Sequence, residues 1–118
     1  MPSAVLTLDK EERNGIHLIR MEGPLDSLTY DQFKDFLDPI AAEPHARIVL
    51  DCRNLRYVNS RGITLLAHYQ RTLSSSLAFF GIAALNARIL KAIELLGVAK
   101  LVRLYSSVEE ALAAAEVL

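Results

Sequence analysis

The stretch that decides the fold is residues 47–73, RIVLDCRNLRYVNSRGITLLAHYQRTL. It begins with a continuous apolar run at residues 48–50 that ends at Asp51, which is typical of a strand buried on both faces. A connecting loop with a second apolar patch follows. From Gly62 onward, apolar residues recur at intervals of three and four, which predicts an amphipathic helix. The stretch is therefore predicted to form a short strand, a loop, a polar corner and a helix.

The polar corner is Asn59-Ser60-Arg61-Gly62. Asn59 and Ser60 lie where helix N-cap residues belong, because a short side-chain oxygen can accept a hydrogen bond from a first-turn N–H. A helix N-terminus also welcomes an added anion. Phosphate on Ser60 would add about −1.5 to −2 charges at neutral pH, which a docked partner would meet. The spacing alone leaves both interpretations open, a simple capping serine and a switch.

Composition limits the class of protein. The 118 residues indicate a single domain spanning 1–118, and 52% apolar residues exclude a disordered chain. A net charge of −1 argues against a nucleic-acid binder. The lone Cys52 offers neither a disulfide nor a metal cluster, which suits a reducing cytoplasm. No signal peptide is recognised, and no apolar run approaches the about 18 residues of a membrane span.

The segments around the central stretch complete the predicted order. Residues 4–8 and 16–21 form a predicted hairpin around the Asn14-Gly15 turn, closed by residues 22–24. A helix then follows the candidate caps Asp26, Ser27 and Thr29, and Pro39 closes or kinks it near its end.

Two further strand–helix pairs are predicted after the central helix. Residues 77–82 and 101–105 are the strands. Asn86 caps one helix, which ends at Gly97, and a capping box pairs Ser106 with Glu109 at the start of the last. The order β-β-α-β-α-β-α-β-α predicts an α/β domain with one small mixed sheet. The sheet has an N-terminal antiparallel hairpin and then parallel strands, packed with four helices.

Catalytic chemistry is disfavoured by the same residues. A nucleophilic Ser60 needs a base within hydrogen-bond reach, and His68 lies eight residues along the helix, about 12 Å away. Nothing in the sequence directs His17 or His45 at Ser60. No Gly-rich phosphate loop and no metal-ligand spacing is present. We therefore expect no enzyme activity, no cofactor and no metal.

A family resemblance adds to this interpretation. The 48–63 segment, with its Leu50-Asp51 strand end and its Asn59-Ser60-Arg61-Gly62 corner, resembles the STAS domain family of bacterial anti-sigma factor antagonists. That family carries Asp-Ser-Ser-Gly or Asp-Ser-Thr-Gly before a Leu-rich helix. The segments 23–26, 90–98 and 107–112 also look like family segments, so the resemblance covers nearly the whole chain in the same element order.

The resemblance implies a function and a site. Family members sequester an anti-sigma factor that is also a serine kinase, and so release a sigma factor. Phosphorylation of the serine disables them, and a PP2C-type phosphatase restores them. By position Ser60 is the implied phosphoacceptor. The implied partner-binding residues are Asp26, Asn59, Arg61, Gly62 and Thr64. A cytoplasmic protein that regulates transcription, without nucleic-acid binding or direct membrane insertion, is expected.

Two departures from the family pattern leave an alternative open. Asn59 stands where the family has Asp, which removes a carboxylate. Arg61 replaces a small Ser or Thr and, with Arg53 and Arg56, is predicted to form a basic rim or a solvated flank. These departures favour a constitutive STAS subunit, an accessory of an ABC-type lipid transporter or part of a larger signalling complex.

Overall fold

The computed structural model describes residues 5–117, and a five-stranded sheet in the order β1-β2-β3-β4-β5 runs through it. Strands β1 (Thr7–Arg13) and β2 (Ile16–Leu25) pair antiparallel. Strands β3 (Arg47–Val58), β4 (Phe79–Ala83) and β5 (Leu104–Tyr105) each run parallel to the preceding strand. The helices are α1 (Tyr30–Ala41), α2 (Ser60–Ser74), α3 (Ala87–Leu95) and α4 (Val108–Glu116). The predicted mixed α/β class and element order are confirmed.

The sheet is covered on both faces. Ile48 and Leu50 of β3 belong to the larger core, which includes buried side chains of α1, α2 and α3. Val49 belongs to a smaller core on the other face, where Ala111 and Ala115 of α4 are fully buried. The continuous apolar run of β3 is therefore explained, because successive side chains of a strand point to opposite faces and both faces are covered.

The first strand begins and ends later than predicted. The sequence places it at residues 4–8 and treats residues 9–13 as a charged connection, whereas β1 spans Thr7–Arg13. Ala4 lies outside the described residues. The charged side chains fit a strand here because β1 is an edge strand, and Arg20 of β2 bonds to Asp9 and Glu11 across the pair.

The second and third strands are both longer than predicted. Strand β2 continues through Gly23 and Pro24 to Leu25, with irregular register there, and β3 continues from Asp51 to Val58. Gly23 adopts φ +104°, and a Cβ at this position would lie 2.3 Å from the Val5 carbonyl oxygen. Glycine tolerates this positive φ and the close approach of Val5, so β2 continues through the segment that was predicted to end it. Leu55 and Val58, predicted as loop residues, are buried strand residues.

The later boundaries shift by a few residues. Leu77 is 74% exposed with φ +58°, so β4 starts at Phe79 and not at residue 77. A 3-10 turn at Ala99–Leu101 replaces the predicted start of β5. Pro39 lies inside α1, which ends two residues later at Ala41. Each shift leaves the order of the elements unchanged.

The predicted capping box of the last helix is off by one residue. Ser107 is the N-cap of α4, and its hydroxyl accepts the Glu110 N–H at 3.1 Å. The Glu110 carboxylate in turn accepts from the Ser106 N–H and hydroxyl, at 3.1 and 2.6 Å. Ser106 therefore lies outside the helix, and Glu109 is not the pairing residue. Among residues 5–117, no helix is both long enough and apolar enough to cross a bilayer.

Candidate functional site

The candidate site lies where β2 and β3 end side by side. Leu25 pairs with Val58 in parallel register, and the candidate site is formed by the residues that follow these two strand ends. The Asn59 N–H donates to the Leu25 carbonyl oxygen at 3.1 Å, and the Asn59 side-chain amide donates to the Ser27 hydroxyl at 3.2 Å. The carboxyl ends of adjacent parallel strands thus bring the segments around Asp26 and Ser60 together. We call residues 26–30 and 59–64 the corner.

Asn59, and not Ser60, caps helix α2. Its side-chain oxygen accepts the Gly62 N–H at 2.9 Å, and its backbone is extended, as an N-cap requires. Ser60 is therefore the first helical residue, and its exposed side chain is not needed for the cap. Of the two positions the sequence offered for the cap, the structure selects the first.

The environment of Ser60 is electropositive through the backbone. The first N–H groups of any α-helix lack intrahelical acceptors, and Asn59 satisfies only the N–H of Gly62. The first turn of α2 carries no acidic side chain. The N–H groups of Ser60 and Arg61, together with the helix dipole, therefore favour an anion at this end.

The Asp26 carboxylate is engaged in its own loop. One of its oxygens accepts from the N–H groups of Leu28 and Thr29, at 3.0 and 3.2 Å. The Thr29 hydroxyl accepts the Asp26 N–H at 2.9 Å and donates to the Pro24 carbonyl at 3.0 Å. The side chain of Thr29 makes no cap hydrogen bond to α1. Asp26 and Thr29 thus fix the loop that borders Ser60.

Gly62 and Thr64 occupy different environments. Gly62 is buried, and a Cβ there would lie 2.8 Å from a Val58 methyl and 3.1 Å from Leu25. Its contribution to the corner is therefore close packing of α2 on the strand ends, and its lack of a side chain is what permits the approach. Thr64 is exposed one turn beyond Ser60, and its hydroxyl donates to the Ser60 carbonyl at 2.9 Å.

Two arginines of the predicted basic rim, Arg53 and Arg61, have different partners. Arg61 stacks on the ring of Tyr30, with its guanidinium carbon 3.8 Å from the ring centroid. Arg53 binds the buried carboxylate of Asp51, with nitrogen–oxygen distances of 2.7 and 3.0 Å. Burial by itself raises the pKa of Asp51, but the hydrogen bonds from Arg53 outweigh it, and the pKa is lowered. Arg53 is therefore a structural partner of Asp51, and Arg61 is the arginine at the corner.

Two corner residues were missed from sequence. Leu28 is 83% exposed, although it is a large apolar residue, and it lies in the loop that contacts Asn59 through Ser27. The second residue is Tyr30, whose ring stacks against the Arg61 guanidinium. The available signal was an apolar residue among the polar residues Asp26, Ser27 and Thr29 before a helix, which the sequence interpretation treated only as candidate caps. Leu28 therefore adds one exposed apolar side chain to an otherwise polar corner.

The corner offers no means of nucleophilic activation that the structure reveals. Within the described part of the chain, no three His, Cys, Asp or Glu side chains gather as a metal site. Cys52 is fully buried, and burial raises the pKa of its thiol.

Comparison with known proteins identifies the family. Residues 7–111 match the STAS domain model. The chain is 24% identical over 107 residues to the anti-sigma-F factor antagonist RsfB of Mycobacterium tuberculosis, covering 91% of this chain and 87% of that protein.

Solved structures share the fold. An anti-sigma factor antagonist from Mycobacterium paratuberculosis superposes with a TM-score of 0.85 at 24% identity, over 98% of this chain and 97% of that one. The anti-sigma factor antagonist SpoIIAA in its unphosphorylated form gives 0.74 at 17% identity, over 95% and 98%. With the family model covering most of its length, this chain belongs to the STAS domain family.

Proposed function

We propose that this protein is an anti-sigma factor antagonist of a bacterial cytoplasm, which regulates transcription by sequestering an anti-sigma factor with serine kinase activity. The observation that carries the proposal is the exposed Ser60 at the first position of a helix that Asn59 already caps. Because the Ser60 side chain is exposed and is not needed for the helix cap, its hydroxyl is accessible to a kinase. The anti-sigma antagonist relatives support this choice of partner.

Phosphorylation of Ser60 would act on binding more than on folding. A phosphate here would meet free N–H groups and the positive end of the α2 dipole, so the fold tolerates it. A partner that covers Leu28, Arg61 and Thr64 would have to accommodate about −1.5 to −2 charges and a bulky group beneath its surface. The proposed switch therefore lowers affinity for the anti-sigma factor, and a PP2C-type phosphatase reverses it.

The test is labelling by a kinase-type anti-sigma factor from the same organism with ATP, followed by mass spectrometry. We expect one added phosphoryl group on wild type and none on Ser60→Ala. Ser27→Ala is the matched control, because Ser27 is the other exposed serine of the corner, and it should be labelled like wild type. Labelling of Ser60→Ala at the wild-type level would place the phosphoacceptor elsewhere.

Asn59 and Arg61 favour a second candidate, a constitutive STAS subunit of an ABC-type lipid transporter or of a larger signalling complex. Both residues are engaged, Asn59 with Ser27 and Arg61 with Tyr30, so neither position supplies a free carboxylate or a small neighbour beside Ser60. If wild type is not labelled while the double variant Asn59→Asp, Arg61→Ser is, the constitutive subunit is the correct choice.

We propose further that the domain acts by binding and not by catalysis. No base is hydrogen-bonded to the Ser60 hydroxyl among the described residues, and the carboxylate of the corner, Asp26, is held by backbone N–H groups. Turnover of generic ester and phosphate substrates by the purified protein should not exceed that of Ser60→Ala. A rate that falls with this substitution would contradict the proposal.

A further inference from the structure

A groove runs along the exposed side of helix α2 and adjoins the corner, with which it shares Tyr30 and Thr64. The C-terminal half of α2 forms its floor, α1 forms one wall, and the 3-10 turn Ala99–Leu101 with the preceding Val98 forms the other. The groove has a volume of about 740 Å³. Binding sites for small molecules typically span about 300–1,000 Å³, so this groove has the size of a ligand site.

The second wall of the groove is held in place by a buried polar residue. Gln70 of α2 is 5% exposed, and its side-chain oxygen accepts the Arg103 N–H at 2.9 Å. Its side-chain nitrogen donates to the Ser74 hydroxyl at 3.0 Å. Because Arg103 lies only two residues after the 3-10 turn, this bond holds the turn close to α2. The groove is thus formed by the fold before anything binds.

The lining combines apolar and cationic groups. Leu65 lines the groove from the core side, and Leu101 lines it while remaining 59% exposed. Lys34, Arg71 and Lys100 bring three cations to the same space, and no acidic residue lines it within residues 5–117. Asp38 pairs with Lys34 at 2.9 Å. Arg71 and Lys100 have no such ion pair in the described part of the chain.

We propose that this groove binds a small anionic amphiphile, a single carboxylate head on an alkyl chain of about ten to fourteen carbons. Arg71 and Lys100 would hold the head, because charge-assisted hydrogen bonds to a carboxylate are the strongest available here. Leu65, Val98 and Leu101 would cover the chain, which removes apolar surface from water. The volume lies within the range of small-molecule sites, and the cations of Arg71 and Lys100, which have no ion pair among the residues described, favour an anion.

The test titrates the full chain with dodecanoate below its aggregation concentration, by calorimetry and by NMR amide shifts. We expect saturable binding, with the largest shifts at residues 64–74 and 98–101. Two matched probes separate head from tail. Dodecyltrimethylammonium has an alkyl chain of the same length and the opposite charge, whereas butyrate has the carboxylate with only a short chain. Both probes should bind at least about tenfold more weakly than dodecanoate. Equal affinity for the cationic probe would overturn the proposal.

Variants locate the site. Arg71→Gln with Lys100→Gln should weaken dodecanoate about tenfold, whereas Arg88→Gln with Lys91→Gln should leave the affinity within about twofold of wild type. The control pair removes two exposed cations of α3 that lie outside the groove. An equal loss in both pairs would mean nonspecific attraction.

A protein segment is the competing occupant. An amphipathic helical peptide with one Leu face and one Glu face tests this alternative. Binding of that peptide at the groove without binding of dodecanoate would overturn the proposal. Absence of any saturable binding by dodecanoate would do the same. Dodecanoate binding is measured without a partner, whereas labelling at Ser60 is measured by mass spectrometry, so failure of the groove proposal is distinguishable from failure of the proposed switch.

Discussion

Helices α2 and α3 begin with the same capping chemistry and differ in what they display. Asn59 caps α2 and Asn86 caps α3, each accepting the N–H three residues on, at 2.9 and 2.8 Å. Each helix follows a parallel strand and has an arginine at its second position, Arg61 or Arg88. At the first position α2 has Ser60 and α3 has Ala87. Since α3 is capped without a hydroxyl there, capping does not explain Ser60.

The third helical position differs in packing. Ile89 is 2% exposed and fills the core under α3, whereas Gly62 presents no side chain under α2. At this position, therefore, α3 packs through a side chain and α2 through close approach of its backbone. The start of α2 can therefore sit flush with the strand ends and bring Ser60 beside the loop of Asp26. The start of α3 therefore serves as an internal comparison for the cap and the first three positions of α2.

The largest expected difference lies at this third position. Ile89→Ala should lower the free energy of unfolding by about 3 kcal/mol, because it empties a buried site. Gly62→Ala should cost about 1 kcal/mol, because overpacking against Val58 and Leu25 exceeds the helix propensity that Ala gains. Urea titration measures both. A Gly62→Ala protein more stable than wild type would show that the close approach is not required.

Removing the caps should affect stability equally and binding unequally. Asn59→Ala and Asn86→Ala should each lower the free energy of unfolding by about 1 kcal/mol, since each leaves a first-turn N–H without its acceptor. Only Asn59→Ala should weaken binding to the anti-sigma factor, because Asn59 lies in the corner next to Ser60 and Asn86 does not. Urea titration and calorimetric binding separate the two effects. Equal loss of binding in both variants would indicate a general effect of instability.

The two arginines should separate through Tyr30. Arg61→Gln should cost about 0.5–1 kcal/mol by loss of the stacked contact with the Tyr30 ring. No ring contact involves Arg88 in the described part of the chain, so Arg88→Gln should change stability by less than about 0.5 kcal/mol. Thermal unfolding of both variants at equal ionic strength measures the difference. Tyr30→Leu should abolish it, and its persistence in that background would assign the effect to charge alone.

The smallest stability effect should come from added negative charge. Ser60→Glu and Ala87→Glu each place a carboxylate at the first position of a helix, where the dipole stabilises it by about 0.3–1 kcal/mol. Both variants should therefore unfold at slightly higher urea concentration than wild type. Only Ser60→Glu should lose affinity for the anti-sigma factor, about tenfold or more, since a rigid partner must desolvate the charge. Equal affinity of both variants would remove the proposed switch.

The sequence by itself determined the class, the order of the elements and the position of the corner. The change of hydrophobic period at Gly62, the turn residues Asn14-Gly15 and the cap residue Asn86 are local signals, which depend on residues close in sequence. They failed where pairing decides conformation. Residues 9–13 appear too charged for a strand until β2 is beside them, and residues 52–58 look like a loop until their apolar side chains meet the core.

Only the tertiary structure decided which residues share the site. The pairing of Leu25 with Val58 brings the loop of Asp26 against the start of α2, across a separation of more than thirty residues that no periodicity reports. It assigned the cap to Asn59, engaged Arg53 with Asp51, and left Ser60 and Leu28 exposed. Sequence can name a hydroxyl at a helix start. Whether that hydroxyl caps the helix or remains exposed depends on which neighbouring residues the sheet brings close to it.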